Sequence, residues 1–238
     1  MSFRDRLAER SAATYAGFLL PHLPSTARML DCGCGAGTIT VGLADSVGSI
    51  VGLDLDAKTL APAAAYVRGG SIPNVRFVAG DGMRLPFRDE AFDAVLMHSV
   101  LEAATDPSGL AREAWRVLVP GGVLAAASVE YGGLVLEGPD RETLTRFYAV
   151  REQLWSLERV ARPRAGRALR RLLHGCGFGE ARAADCAETW FVSHSLAHRL
   201  YTEEELERTR RAWEVWSRSP DAFLAFAWCR VVGRKPGR

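Results

Sequence analysis

The chain has 238 residues, 48% of them hydrophobic, with 30 basic and 28 acidic side chains and a formal charge of +2. That is enough for one α/β domain with insertions, and so even a charge gives no electrostatic case for a nucleic-acid partner. No apolar run approaches the roughly 18 residues of a membrane span. The opening Met1-Ser-Phe-Arg-Asp-Arg6 lacks a signal-peptide core, so a cytoplasmic protein with no membrane partner is expected.

Residues 4–20 carry Leu7, Tyr15, Phe18 and Leu19 at helical spacing, and Pro21 and Pro24 end that helix. Strands and helices then alternate. Strand 27–31 is followed by helix 37–46, strand 49–54, helix 57–67, strands 74–78 and 91–97, helix 106–118 and strand 122–128. This order predicts a parallel sheet with helices on both faces. Val95-Leu-Met97 and Val123-Leu-Ala-Ala-Ala-Ser128 are nearly continuous apolar runs, as buried parallel strands require.

After Glu130 the regularity changes. Gly132-Gly133 and Gly138-Pro139 mark a loop, and Asp140 is placed to cap a helix reaching about Arg159. A second helix, 165–175, ends at Gly175-Cys-Gly177 in a C-cap pattern. A sixth strand lies within 178–191 and a seventh within 222–233. Between them an insertion, 192–221, holds His194, His198 and a helix opened by the capping-box pair Thr202 and Glu205. The expected organisation is a cap helix in 1–26, a core in 27–130, a helical substrate cap in 131–177, and C-terminal strands in 178–238 interrupted by that insertion, all as one domain.

Five cysteines, Cys32, Cys34, Cys176, Cys186 and Cys229, show no framework spacing and suit free thiols in a reducing compartment. Cys32-Gly-Cys34 is too tight for the usual zinc spacing, so no metal is expected. His194 and His198 would need further ligands to form a metal site, and two surface histidines is the commoner arrangement.

The stretch Met29-Leu-Asp-Cys-Gly-Cys-Gly-Ala-Gly-Thr38 carries most of the functional information. It reads as a strand running into a glycine turn that opens a helix, a place where a ligand can approach the main chain. Asp54 ends the next strand, at the distance where an acid binds a ribose diol. The nicotinamide fingerprint G-x-G-x-x-G fails: counted from Gly33 its third position is Thr38, and from Gly35 it is Thr40. Asp31 would repel the pyrophosphate that such a helix N-terminus holds. It is a favourable neighbour for S-adenosylmethionine (SAM), which has no phosphate and carries an ammonium and a sulfonium.

Met29–Gly37 resembles the loop of the class I SAM-dependent methyltransferases, (V/L)-L-D-x-G-C-G-x-G, with Met29 in place of Val or Leu. Three further stretches resemble that family in order: Gly80-Asp-Gly-Met-Arg-Leu-Pro-Phe87, Phe92-Asp-Ala-Val-Leu-Met-His98 and Arg116-Val-Leu-Val-Pro-Gly-Gly122. The overall pattern is similar to the small-molecule branch, of the ubiquinone and menaquinone biosynthesis type. The resemblance implies a Rossmann-like, doubly wound sheet of seven mostly parallel strands, the last antiparallel, under a helical cap.

It also implies SAM as cofactor, S-adenosylhomocysteine as product, and a cofactor shell. Asp31 orients the methionine ammonium through the loop, Gly33, Cys34, Gly35 and Thr38 approach the ligand, and Asp54 with Leu55 holds the ribose. Gly80, Asp81, Gly82 and Met83 hold the adenine edge, and Tyr15, His98 and Ser99 complete the shell. Asp93 is expected to be structural.

Catalytic candidates are His98, which follows the fourth strand and can take a proton near neutral pH, and Glu130 with Tyr131, which follow the fifth. Trp155, Trp213 and Trp216 are candidates to meet an aromatic substrate. The expected activity is methyl transfer to O, N or C of a small molecule in secondary or cofactor metabolism. Alternatives are a cyclase- or decarboxylase-like protein using SAM structurally, an RNA methyltransferase, and, against the loop chemistry, an NAD enzyme. The oligomeric state is not encoded.

Overall fold

A computed structural model describes residues 12–70, 72–137, 140–157, 165–186, 202, 204, 205, 207, 208, 211 and 223–237. Its centre is a seven-stranded sheet. The strands are β1 (Arg28–Cys32), β2 (Ser49–Asp54), β3 (Val75–Ala79), β4 (Phe92–His98), β5 (Leu118–Glu137), β6 (Gly179–Cys186) and β7 (Phe223–Arg234). Their spatial order is β3-β2-β1-β4-β5-β7-β6. The pairs β1–β2, β2–β3, β1–β4 and β4–β5 are parallel, and β7 runs antiparallel to both β5 and β6. The order reverses at β1, where chain direction switches between β2 and β4. Such a switch point opens a crevice at the carboxyl ends of the strands.

The helices are α1 (Ala12–Ala16), α2 (Thr38–Gly42), α3 (Ala57–Gly70), α4 (Pro107–Val117), α5 (Arg141–Leu157) and α6 (Ala165–Gly175). Side chains alternate between the faces of each strand, and two cores follow. Leu19, Met29, Ile39, Ile50 and Leu96 pack on the α1 and α2 face. Leu30, Leu53, Met97, Leu110, Leu124, Leu169 and Phe178 pack on the α4 and α6 face. Polar residues cap the helices as their types dictate. Asp106 accepts from Gly109 N at 2.9 Å and Asp140 from Thr143 N at 2.8 Å. Thr202 and Glu205 form the reciprocal capping box, Thr202 N donating to Glu205 at 2.9 Å and Glu205 N to Thr202 at 3.1 Å.

Two elements differ from their sequence pattern. The first helix, read over 4–20, is helical over Ala12–Ala16 and tightens to a 3-10 turn at Leu20–His22, where Pro21 sits; residues 4–11 lie outside the described residues. The fifth strand, read as 122–128, continues to Glu137 because β7 pairs along it as far as Glu137↔Phe223. Gly132-Gly133 falls at the register irregularity between Glu130 and Val135, inside the strand where a loop was expected. Among the described residues no helix is long and apolar enough to cross a membrane.

Candidate active site

The crevice at the switch point is a cleft of about 320 Å³ whose walls include Cys32, Gly33, Asp54, Leu55, Gly80 and Ser99. Each comes from the carboxyl end of a parallel strand or the turn just beyond it. The glycine turn is built by positive φ angles at Gly33 (75°), Gly35 (53°) and Gly37 (73°), a region that L side chains avoid. Gly33 N and Cys34 N both donate to Leu53 O, at 2.7 and 3.0 Å, which lays the turn on β2. Gly52 of β2 makes room for it: a Cβ there would meet Cys34 Sγ at 2.9 Å and Phe77 at 2.6 Å. A Cβ on Gly37 would meet Phe77 at 2.6 Å, whereas one on Gly35 would meet nothing within 4 Å. Gly35 therefore borders open space, and Gly37 is needed for packing.

Four acids surround this turn with distinct roles. Asp31, 2% exposed, accepts from Thr40 Oγ1 at 2.6 Å and supports α2 against β1. Asp54 accepts from Gly35 N at 2.8 Å through Oδ2 and from Asp56 N at 3.1 Å through Oδ1. Both of its oxygens are held, and each keeps a lone pair for a diol. Asp56, the rival acid, is committed to α3, accepting from Lys58 N and Thr59 Oγ1, each at 2.9 Å. Asp81 accepts from Met83 N at 2.8 Å and caps the 3-10 turn Gly82–Arg84. Beside Asp54, Leu55 is 78% exposed, the one large hydrophobic left in water among the described residues. An apolar side chain at the rim of a polar cleft is placed to cover a ligand face.

Burial raises the Cys32 thiol to about 12, with Asp31, Asp54 and Asp81 adding to the shift, and it also pushes the Cys34 thiol up. Both are packing thiols. At the open end of β4, His98 is 6% exposed, and its ring meets Tyr15 edge-on, centroids 5.2 Å apart. Tyr15, itself buried, thus packs on His98. Ser99 lines the cleft, and its hydroxyl lies 3.4 Å from His98 Nδ1. Thr38 is the buried first residue of α2, and Gly80 N donates to Asp54 O at 2.9 Å, tying the segment after β3 to the end of β2.

Glu130 is buried on β5 in the alternation of Leu124, Ala126 and Ser128, on the α4 and α6 face, where a Cβ on Gly166 would touch it at 3.0 Å. His98 continues the Leu96 face, so the two catalytic candidates lie on opposite sides of the sheet. Tyr131 belongs to β5, and the side chains of Tyr131 and Trp155, with His194, His198, Trp213 and Trp216, lie outside the described residues. Asp93 is structural, bound by Arg28 at 2.9 Å, which holds its carboxyl below the usual range.

A residue that sequence reasoning passed over is Glu102, 8% exposed, which accepts from Ser128 Oγ at 2.5 Å just behind Ser99. Its signal was an acid inside the apolar run Val100-Leu-Glu-Ala-Ala104.

The residues present fit SAM: a main-chain turn open at Gly35, a held diol-binding acid and an exposed apolar rim. Comparison with known proteins agrees. Residues 30–126 match the family described as methyltransferase domain. The chain is 28% identical to an uncharacterized methyltransferase of Schizosaccharomyces pombe, covering 88% of this chain and 84% of that one. It is 38% identical over 108 residues to the demethylmenaquinone methyltransferase of Roseiflexus castenholzii, spanning 44% of each. The fold matches the crystal structure of the YcgJ protein of Bacillus subtilis with a TM-score of 0.65 at 17% identity, over 93% of this chain and 98% of that one. With strand order, turn chemistry and matched domain in agreement, residues 30–126 of this chain carry a methyltransferase domain, and the chain is similar to the class I SAM-dependent methyltransferases.

Proposed function

We propose that the protein methylates an O, N or C atom of a small molecule in secondary or cofactor metabolism, with His98 as proton acceptor. The observation that carries the small-molecule reading is the cleft wall. Beyond Ser99 it continues as Val100, Ala103, Ala104 and Leu110, and among the described residues that line it there is no lysine or arginine. An RNA acceptor would call for basic side chains to meet its phosphates. The demethylmenaquinone methyltransferase relative supports the same class of acceptor. The free thiols Cys32, Cys34, Cys176 and Cys229 suit a reducing cytoplasm.

When bound, SAM supplies an electrophilic methyl group and leaves as S-adenosylhomocysteine. The chain's own task is alignment and exclusion of water, and orientation alone can contribute about 7–11 kcal/mol. Asp54 fixes the ribose, Asp81 with Gly82 and Met83 the adenine edge, and Asp31 the turn that meets the methionine end. His98 takes the proton of an acceptor hydroxyl or enol-like carbon, leaving its electron pair for the methyl carbon.

Incubation with host metabolite extract, and separately with total RNA, using ordinary and methyl-deuterated SAM tests this by mass spectrometry. A small-molecule product pair separated by the label mass is expected. Label in RNA alone would overturn the small-molecule reading. SAM bound with no labelled product in either arm would favour a structural use of the cofactor.

A further inference from the structure

We propose that Arg230 of β7 is a positioning residue: it fastens α1 to the carboxyl end of the sheet and so holds the Tyr15 ring against His98. The proposal deepens the reading of His98 as the base and rests on that reading for its effect on turnover.

Three side chains stand in one row on the α1 face of the sheet. His98 of β4 pairs with Ala127 of β5, and Ala127 pairs with Arg230 of β7. His98 continues the face of Leu96, and Arg230 continues that of Val232. The residue between them is a fully buried alanine, short enough for α1 to lie over the row. α1 meets both ends of it. Tyr15 stands edge-on to His98, with centroids 5.2 Å apart. One residue earlier, Thr14 O accepts from Arg230 Nη2 at 2.6 Å, and the guanidinium lies over the Phe18 ring, 5.3 Å from its centroid.

α1 needs such a partner. It has five residues, too few to be held by its own hydrogen bonds. Its last carbonyls also lack helical donors. Gly17 N donates to Ala13 O at 3.2 Å, and the chain then tightens, with Leu19 N donating to Ala16 O at 3.0 Å and Leu20 N to Gly17 O at 3.3 Å. That change of pitch passes over Thr14 O, and a basic side chain satisfies such a carbonyl. Arg230 supplies the donor from 216 positions further along the chain. Stability alone does not explain its placement. Its Nε is buried with no partner among the described residues, which costs stability. What the placement secures is the seat of α1. With Thr14 O and the Phe18 ring both held by one guanidinium, Tyr15 between them is fixed toward His98.

The test is proton–carbon NMR of histidine-labelled, ligand-free protein, paired with steady-state kinetics. An aromatic ring held edge-on shifts the resonances of the ring beside it, so the His98 C–H signals report where Tyr15 stands. The chain has five histidines, and the His98 signals are assigned by their loss in His98→Gln. Arg230→Met keeps an aliphatic stem and removes the cation. It is expected to move the His98 signals toward those of Tyr15→Leu and to lower kcat about 10-fold. KM for SAM should change less, because most of the cofactor shell comes from β1–β3. The contact to Thr14 is a single hydrogen bond, so Arg230→Lys, which keeps a donor and a cation near Phe18, is expected to recover most of both effects. His98 signals unmoved in Arg230→Met, or no recovery in Arg230→Lys, would overturn the proposal. If Arg230→Met fails to fold, Phe18→Leu removes the ring and keeps the hydrogen bond. It should shift the same signals by a smaller amount, and no shift there would equally overturn the proposal. The expected shifts in a protein that transfers no methyl group would defeat the reading of function and leave the anchoring of α1 standing.

Discussion

The sheet has two halves that differ in how they are built. From β3 to β5, through residue 127, strands are parallel, and each carboxyl end delivers one site element: the turn from β1, Asp54 from β2, Gly80–Met83 after β3, His98 and Ser99 from β4. From Ser128 onward, β5 pairs with an antiparallel β7, and the long ladder, interrupted between Glu130 and Val135, delivers Glu130 to the far face of the sheet. The first half binds a cofactor of fixed shape, so its geometry is set by main-chain hydrogen bonds and glycine angles.

The sharpest way to break this contrast is His98→Gln. Loss of a general base removes about 100-fold or more from kcat, while SAM affinity should fall far less, because most of the cofactor shell comes from β1–β3. A comparable loss of SAM binding, read by calorimetry, would show that the two functions are not separated. Next come the turn glycines. In Gly35→Ala the new Cβ meets no protein atom, so folding should lose only the left-handed strain, about 1–2 kcal/mol, while SAM affinity falls roughly tenfold or more as the methyl enters the ligand's space. Gly37→Ala should do the reverse, with a larger drop in melting temperature, since its Cβ meets Phe77 at 2.6 Å and Ala63 at 2.8 Å.

A smaller effect is expected at Arg116. It bonds Leu85 O at 3.0 Å, Phe87 O at 2.8 Å, Glu113 at 2.8 Å and Asp89 at 2.9 Å, clamping the segment after the adenine turn to α4. Arg116→Met should cost about 1–2 kcal/mol in chemical denaturation and change SAM affinity by less than about threefold.

The smallest effects are in pH dependence, and they have opposite signs at two acids of the parallel half. Asp93 is depressed by Arg28, so its contribution is present above the unfolded aspartate value of about 3.9 and is lost as pH falls through the folded one. The pair is partly exposed, 42% and 31%, so Asp93→Asn should cost under about 1 kcal/mol at pH 7 and progressively less as pH falls below the unfolded value. Glu102 is raised, so the folded state holds its proton longer and stability falls as pH climbs above about 4.3. Melting curves of Glu102→Gln should show a shallower decline over that range.

Legibility in the sequence followed the same division. The β1 turn, the place of Asp54 at the end of β2 and the strand order were readable because glycine, a strand-ending acid and alternating apolar runs each have one main physical meaning there. The length of β5 was not, because Gly132-Gly133 reads as a loop until a partner strand pairs across it. The opposite facing of His98 and Glu130 depends on the parity of that strand and on which helix covers each face. Glu102 was missed because its burial beside Ser128 is a tertiary fact that one acid in a short apolar run only weakly signals.

The central claim is that the β1 turn and Asp54 together form the SAM site. Calorimetric titration of SAM into the wild type and Asp54→Ala tests it most directly. Removing a carboxylate that accepts two hydrogen bonds from the ribose should weaken binding roughly 100-fold or more, with the variant still folded. Equal affinity in the two proteins, or no SAM binding by the wild type, would contradict the account.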